Sequence, residues 1–140
     1  MSPHFWLTLT DIQPSQLYLS AKKLARVLDW WQAPHLNTLS ALPVKRLKGR
    51  VIFTDGHTRA FAAYQMGFKQ VPVYWDADEL DWEAYQICVD WCRKANICTI
   101  ADLGDRVVSP EKYETLWYER CRKLHQELAY QRQSKEDDRE

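Results

Sequence analysis

Residues 51–75 read VIFTDGHTRAFAAYQMGFKQVPVYW, and this stretch decides the fold. Val51-Ile52-Phe53-Thr54 is a short β-branched and aromatic run, the composition of a strand. Asp55-Gly56-His57-Thr58-Arg59 follows without a spacer, and then come the helix formers of residues 60–66. Gly67 stands where the helix ends, because glycine takes the left-handed C′ conformation without steric cost. Residues 71–75 form the next strand. The unit is strand, tight polar loop, helix, strand. A loop that opens directly into a helix presents unpaired N–H groups and the positive end of the helix dipole, which together make a ready anion site.

On the N-terminal side, the weak alternation of residues 5–10 predicts a first strand, ended by Asp11-Ile12-Gln13-Pro14. Ser20 is an expected N-cap for a helix over residues 21–32, whose Leu24, Val27, Leu28 and Trp31 share one face. Residues 34–40 are turn formers. Residues 42–47 predict a strand with Pro43 near its start, and Lys48-Gly49-Arg50 turns it into Val51 as a hairpin. On the C-terminal side, residues 76–81 form an acidic loop with Asp81 as the expected cap of a helix reaching about Asn96, its stripe made of Tyr85, Cys88, Val89 and Cys92. Thr99 to Asp102 resembles a capping box, opening a short turn that Gly104 is expected to close. Ser109-Pro110-Glu111 starts a last helix along Tyr113, Leu116, Trp117, Cys121, Leu124 and Leu128. All four glycines, Gly49, Gly56, Gly67 and Gly104, thus fall at predicted turns or ends; residues 131–140 are polar throughout and read as a frayed tail.

The 140 residues suit one domain, with 46% apolar residues and seven Trp to build a core. Nineteen basic and nineteen acidic side chains cancel, so DNA is not an expected partner of the chain by itself. No run approaches a membrane span and no signal-peptide zones appear at the start, so a cytoplasmic location is expected. Cys88, Cys92, Cys98 and Cys121 make no disulfide framework. Cys88 and Cys92 share a helix face and are spaced to co-ligate zinc, but no CxxC pair or companion His accompanies them, so buried inert thiols are the expectation.

A phosphate at the predicted helix start would meet the amides of Gly56, His57 and Thr58, the Thr58 hydroxyl and the Arg59 guanidinium. His57 is a residue type that exchanges a proton near neutral pH. Asp55 repels a phosphate unless a cation bridges them or the carboxylate acts as a base toward a substrate hydroxyl, which points to metal-assisted phosphoryl chemistry. The same residues also suit a plainer role: Asp55 capping the helix, Gly56 easing the turn, His57 at the surface and Arg59 paired with an acid. No Walker loop or dinucleotide fingerprint is present.

Thr54-Asp55-Gly56-His57-Thr58-Arg59, the helix running to Gly67-Phe68, and Val71-Pro72-Val73 resemble the ParB/sulfiredoxin superfamily, and Asp11 to Ser15 resembles that family's first strand and following proline. The resemblance covers roughly residues 7–75 and is most specific at the loop. It implies an α/β (α+β) fold with a small mixed sheet and packed helices in residues 1–80. The C-terminal half has no counterpart in that family; its spacing and composition predict a helical extension in residues 81–130 packed on the same domain and a disordered tail in residues 131–140. The resemblance implies that the loop binds nucleotide phosphates. Sulfiredoxins place a catalytic cysteine in this loop, and none is here; partition ParB proteins carry a Gly-Glu-Arg-Arg loop and a DNA-binding helix-turn-helix, which this chain lacks. Free serine kinases carry Asp-Gly-His-His-Arg, matched at Asp55, Gly56, His57 and Arg59, with Thr58 in place of the second histidine.

That likeness implies Asp55 and His57 as catalytic residues, Gly56, His57, Thr58 and Arg59 as nucleotide ligands, and Asp55 as a ligand of Mg2+. The nucleotide would be ATP, ADP or CTP, and the activity that of an NTP- or ADP-dependent small-molecule kinase or a nucleotide hydrolase. The kinases' glutamate after the first strand is missing; Gln13 and Gln16 occupy the region, and glutamine accepts no hydroxyl proton. The base is then Asp55, or an acid from residues 76–83, or there is none. The alternative is a non-enzymatic nucleotide-gated module or a DNA-associated adaptor. Trp82, Trp91 and Trp117 have core spacing, although Trp and Tyr rings also stack on bases. Trp30 and Trp31 point to different faces, with Trp30 exposed; His4, His35 and His125 carry no assigned role.

Overall fold

The computed structural model describes residues 4–31 and 39–138. The expected connection over residues 34–40, with His35, lies largely outside them, as does the end of the helix expected to reach Gln32. Four strands form the main sheet: β1 (Phe5–Thr8), β3 (Leu42–Leu47), β4 (Arg50–Phe53) and β5 (Gln70–Trp75), in the order β1-β5-β3-β4. β5 runs antiparallel to β1 and parallel to β3, while β3 and β4 form an antiparallel hairpin. Lys48 (φ 50°) and Gly49 (φ 78°) turn that hairpin with two left-handed residues, the geometry that matches strand twist. A separate parallel pair joins β2 (Leu19–Ser20) to β6 (Val107–Val108).

β1 stops at Thr8, short of the expected Thr10, because Leu9–Asp11 tightens into a 3-10 turn after the Leu9 N–H meets the Lys69 carbonyl. That turn carries the chain across to β4, where Gln13 accepts from the Phe53 N–H and donates to the Val51 carbonyl, so the sheet curls.

α1 (Ala21–Trp30) begins at Ser20, whose hydroxyl accepts from the Lys23 N–H, and buries Leu24 and, just past its end, Trp31. α2 (His57–Gln65) starts three residues earlier than the expected Ala60 and buries Ala60, Phe61, Ala62 and Ala63. Three alanines in that set let its backbone lie close in the core. Gly67 closes it at φ 90°, with N–H groups of Gly67 and Phe68 returning to Tyr64 and Ala63.

α3 (Trp82–Lys94) is capped by Asp81, which accepts from the Ala84 N–H. Asp102 accepts from the Thr99 and Cys98 N–H groups, the reciprocal half of the expected capping box. Gly104 does not end that turn: the 3-10 helix runs on from Ile100 to Arg106, and Gly104 is not in the left-handed region. After Ser109, α4 (Pro110–Tyr113) passes through a π turn (Glu114–Tyr118) into α5 (Glu119–Asp138). The extra residue of the π turn keeps Tyr113 and Trp117 inward while Leu116, expected in the stripe, is 38% exposed. α5 carries the helix through residues 131–138, where a frayed tail was expected: the Arg132 guanidinium bonds both oxygens of Asp81, at 2.9 and 3.0 Å, and Glu83 at 3.0 Å, pinning the last turns to the start of α3.

The main core joins the inner faces of the sheet, α1 and α2 to Cys92, Ile97, Ile100, Leu103, Tyr113 and Trp117. A smaller cluster of Ala84, Leu124 and Leu128 seals α3 against α5. No helix among the described residues is long and apolar enough to cross a membrane.

Candidate functional site

The first turn of α2 carries the candidate residues. Gly56 is its N-cap at φ 77°, and no side chain caps the turn. Asp55 does not cap the helix either; its Oδ1 accepts from the adjacent Gly56 N–H at 2.8 Å, and its side chain is exposed. The N–H groups of His57, Thr58 and Arg59 precede the first intrahelical donor, the Ala60 N–H bonded to the Gly56 carbonyl at 2.9 Å, and so remain available at the positive helix end. A Cβ built on Gly56 would stand 3.0 Å from Leu42 Cδ2 and 3.1 Å from Arg59 Nη2, so the Arg59 guanidinium folds back over the bare Gly56 backbone. Arg59 makes no ion pair among the described residues, whereas Arg122 and Arg132 do.

These residues open onto a cleft of about 560 Å³ between α1, α2 and the π turn. α1 contributes Lys23 and Arg26, α2 contributes Thr58 and Arg59, and Asp55 is the one acid on its wall. Lys23 and Arg26 carry no signal in the linear sequence beyond lying on the polar face of α1; they reach the site only because α1 packs against α2. Tyr113, Trp117 and Tyr118 from the C-terminal helices complete the lining. Lys23 Nζ bonds the Tyr118 hydroxyl and stands 5.2 Å and 5.1 Å from the centroids of the Tyr113 and Tyr118 rings.

His57 differs from its expected role. It is 4% exposed, its ring edges onto Phe53 at 5.6 Å, and its Nε2 accepts from the Ser15 N–H at 2.9 Å. An Nε2 that accepts leaves the proton on Nδ1, which has no partner among the described residues. Burial lowers its pKa to about 4, against a smaller opposing pull from Asp55. The ring is therefore neutral at physiological pH and its basic nitrogen is occupied, so it does not exchange a proton near neutrality. It tethers the start of α2 to the segment after β1, where Ser15 Oγ also donates to the Phe53 carbonyl at 2.7 Å.

Gln13 is buried and structural, donating to the Ile97 carbonyl at 2.8 Å and accepting from Arg93 at 3.2 Å. Gln16 lies on the cleft wall and donates to the Tyr113 hydroxyl at 2.8 Å. Three of the acids after β5 are engaged in structure: Asp76 is buried and accepts from Thr54 Oγ1 at 2.7 Å and from the Asp78 N–H at 2.9 Å, and Asp81 and Glu83 hold Arg132, which lowers the Asp81 pKa; Asp78 and Glu79 are exposed. The described residues contain no group of three His, Cys, Asp or Glu side chains placed for a metal. Asp55 fits Mg2+ only in the manner of an ion that arrives on phosphate oxygens and takes one protein carboxylate. Tyr85 donates to the Thr54 carbonyl at 2.8 Å, and burial raises its pKa to about 12, so it acts as a latch and not a base.

The thiols of Cys88 and Cys92 are pushed up to about 12 by burial, and that of Cys121 is raised by the same cause; Cys98 is exposed, unlike the expectation for all four.

The sequence matches no protein-family profile and no curated protein. Among solved structures, the chain is similar to protein Atu1540 from Agrobacterium tumefaciens, at 15% identity over 77% of this chain and 63% of that one, with a TM-score of 0.53. It is also similar to the C-terminally truncated chromosome-partitioning protein ParB from Caulobacter crescentus, complexed with CTP-gamma-S, at 18% identity over 67% of this chain and 53% of that one, with a TM-score of 0.45. The chain thus spans less than two thirds of either protein. The fold is of the ParB/sulfiredoxin-like type.

Proposed function

We propose that this protein is a nucleotide-binding module that holds the phosphates of a nucleoside di- or triphosphate, such as ATP, ADP or CTP, at the start of α2. One observation carries the proposal: an uncapped helix N-terminus and three cations from two helices, Lys23, Arg26 and Arg59, face a single cleft with one opposing acid. The amides of His57, Thr58 and Arg59 supply directional donors, and the bare Gly56 backbone lets the Arg59 guanidinium lie beside them. Titration calorimetry with ATP, ADP and CTP in the presence of magnesium tests it. Saturable binding, weakened at least tenfold in Arg59→Ala and by rising ionic strength, is expected; absence of heat with all three nucleotides would refute the proposal.

A second reading, transfer of the terminal phosphate to a small hydroxyl-bearing acceptor, is favoured by one feature: Asp55 is an exposed carboxylate on the cleft wall, able to bridge Mg2+ to phosphate or to accept a hydroxyl proton. His57 has no part in proton transfer in that scheme. Acceptor-dependent consumption of labelled nucleotide, lost in Asp55→Asn, distinguishes transfer from binding alone.

A further inference from the structure

We infer that the aromatic wall contributed by the C-terminal helices is a base-binding subsite: Tyr118, at the end of the π turn, stacks on the planar heteroaromatic ring of a nucleotide whose phosphates lie at α2. The inference rests on the phosphate site proposed above and names the other half of its ligand. Three observations support it. First, a cleft of about 560 Å³ is larger than inorganic phosphate needs and lies in the range of small-molecule sites. Second, its lining combines two chemistries, cations and free amides from α1 and α2 with Tyr113, Trp117 and Tyr118 from the C-terminal helices, and the two meet where Lys23 bonds the Tyr118 hydroxyl. Third, Tyr118 is exposed on that lining and held in place, with its hydroxyl bonded by Lys23 Nζ and its ring packed edge to face with Tyr113 at 4.8 Å and 78°.

Tyr113 is 5% exposed and its hydroxyl takes the Gln16 donor, so it backs the wall; Tyr118 is 37% exposed and is the ring a ligand can reach. The π turn matters because its added residue shifts the helix phase between Tyr113 and Tyr118, directing Trp117 inward and Tyr118 to the cleft. Lys23, bonded to the Tyr118 hydroxyl, links the two halves, since the remaining Nζ protons can meet a phosphate oxygen.

The test compares tripolyphosphate, which has the phosphates without the base, with ATP and CTP, in wild type, Tyr118→Leu and Tyr118→Phe, with folding checked by circular dichroism. For at least one nucleotide, Tyr118→Leu is expected to lower the ratio of nucleotide to tripolyphosphate affinity about tenfold, while Tyr118→Phe keeps the wild-type ratio because the ring remains. An unchanged ratio in Tyr118→Leu, including equal weakening of both ligands, overturns the base subsite and leaves the phosphate site standing. Failure of the wild type to bind tripolyphosphate or either nucleotide overturns both.

Discussion

The backbone N–H of Ser15 donates to Nε2 of His57 across 2.9 Å, joining the segment that follows β1 to the first residue of α2. The bond is buried, so it gains from low dielectric and leaves no room for water to replace it. It fixes the His57 tautomer and sets the direction in which the first turn of α2 faces. A histidine that looks like a proton carrier in the linear sequence is here the peg on which the anion site hangs.

This arrangement makes stability pH-dependent in a defined window. His57 has a folded pKa of about 4 against an ordinary 6.5, so between those values the unfolded chain binds more protons than the folded one. Stability from this group is complete above 6.5 and falls as pH drops toward 4, by an amount on the order of 3 kcal/mol. In His57→Gln, which retains an acceptor for the Ser15 N–H, the slope of unfolding free energy against pH between 6.5 and 4 is expected to be shallower than in wild type. Parallel slopes in chemical denaturation series would show that His57 is not the titrating group.

Arg132 joins two regions far apart in the chain, bonding Asp81 and Glu83 at the start of α3. Arg132→Ala is expected to free the last turns of α5 while leaving the core cluster of Ala84, Leu124 and Leu128 in place. Amide hydrogen exchange should quicken in residues 131–138 with little change in the global unfolding midpoint. Unchanged exchange there would mean that the pair is incidental.

Elements whose signals are local were legible in the sequence. Ser20, Asp81 and Ser109 cap the helices they were expected to cap, and the Lys48-Gly49 turn makes the hairpin before the central unit. Each depends on residues within a few positions of one another. The features that were not legible depend on distant partners. Lys23 and Arg26 enter the cleft through the packing of α1 on α2, His57 is tethered by Ser15 from the segment that runs beside β4, and residues 131–138 are held as helix where Arg132 finds Asp81. The π turn has no compositional signature, and a 3.6-residue period run through it placed Leu116 inward when it is exposed.

The cysteines should separate by reactivity. Burial raises the Cys88, Cys92 and Cys121 thiols, leaving little thiolate at neutral pH, while Cys98 is exposed. Titration of the native protein with a chromogenic disulfide should show one fast thiol, abolished in Cys98→Ser, and three that react only on unfolding. A second fast thiol would show that α3 and α5 open more readily than their packing implies.

Gly56 gives the sharpest test of how the anion site is built. At φ 77° an L side chain is strained, and a Cβ would press on Leu42 Cδ2 at 3.0 Å and Arg59 Nη2 at 3.1 Å. The backbone and the leucine have little room to shift, but a guanidinium at the end of a flexible chain can move. Gly56→Ala is therefore expected to destabilise the fold by roughly 1–3 kcal/mol and to displace Arg59 from its position over the backbone. Nucleotide affinity should fall toward that of Arg59→Ala, and in the Gly56→Ala/Arg59→Ala double variant the binding losses should be less than additive, because both act on one guanidinium. Additive losses would separate the two residues and assign Gly56 a direct role in approach of the ligand to the α2 amides.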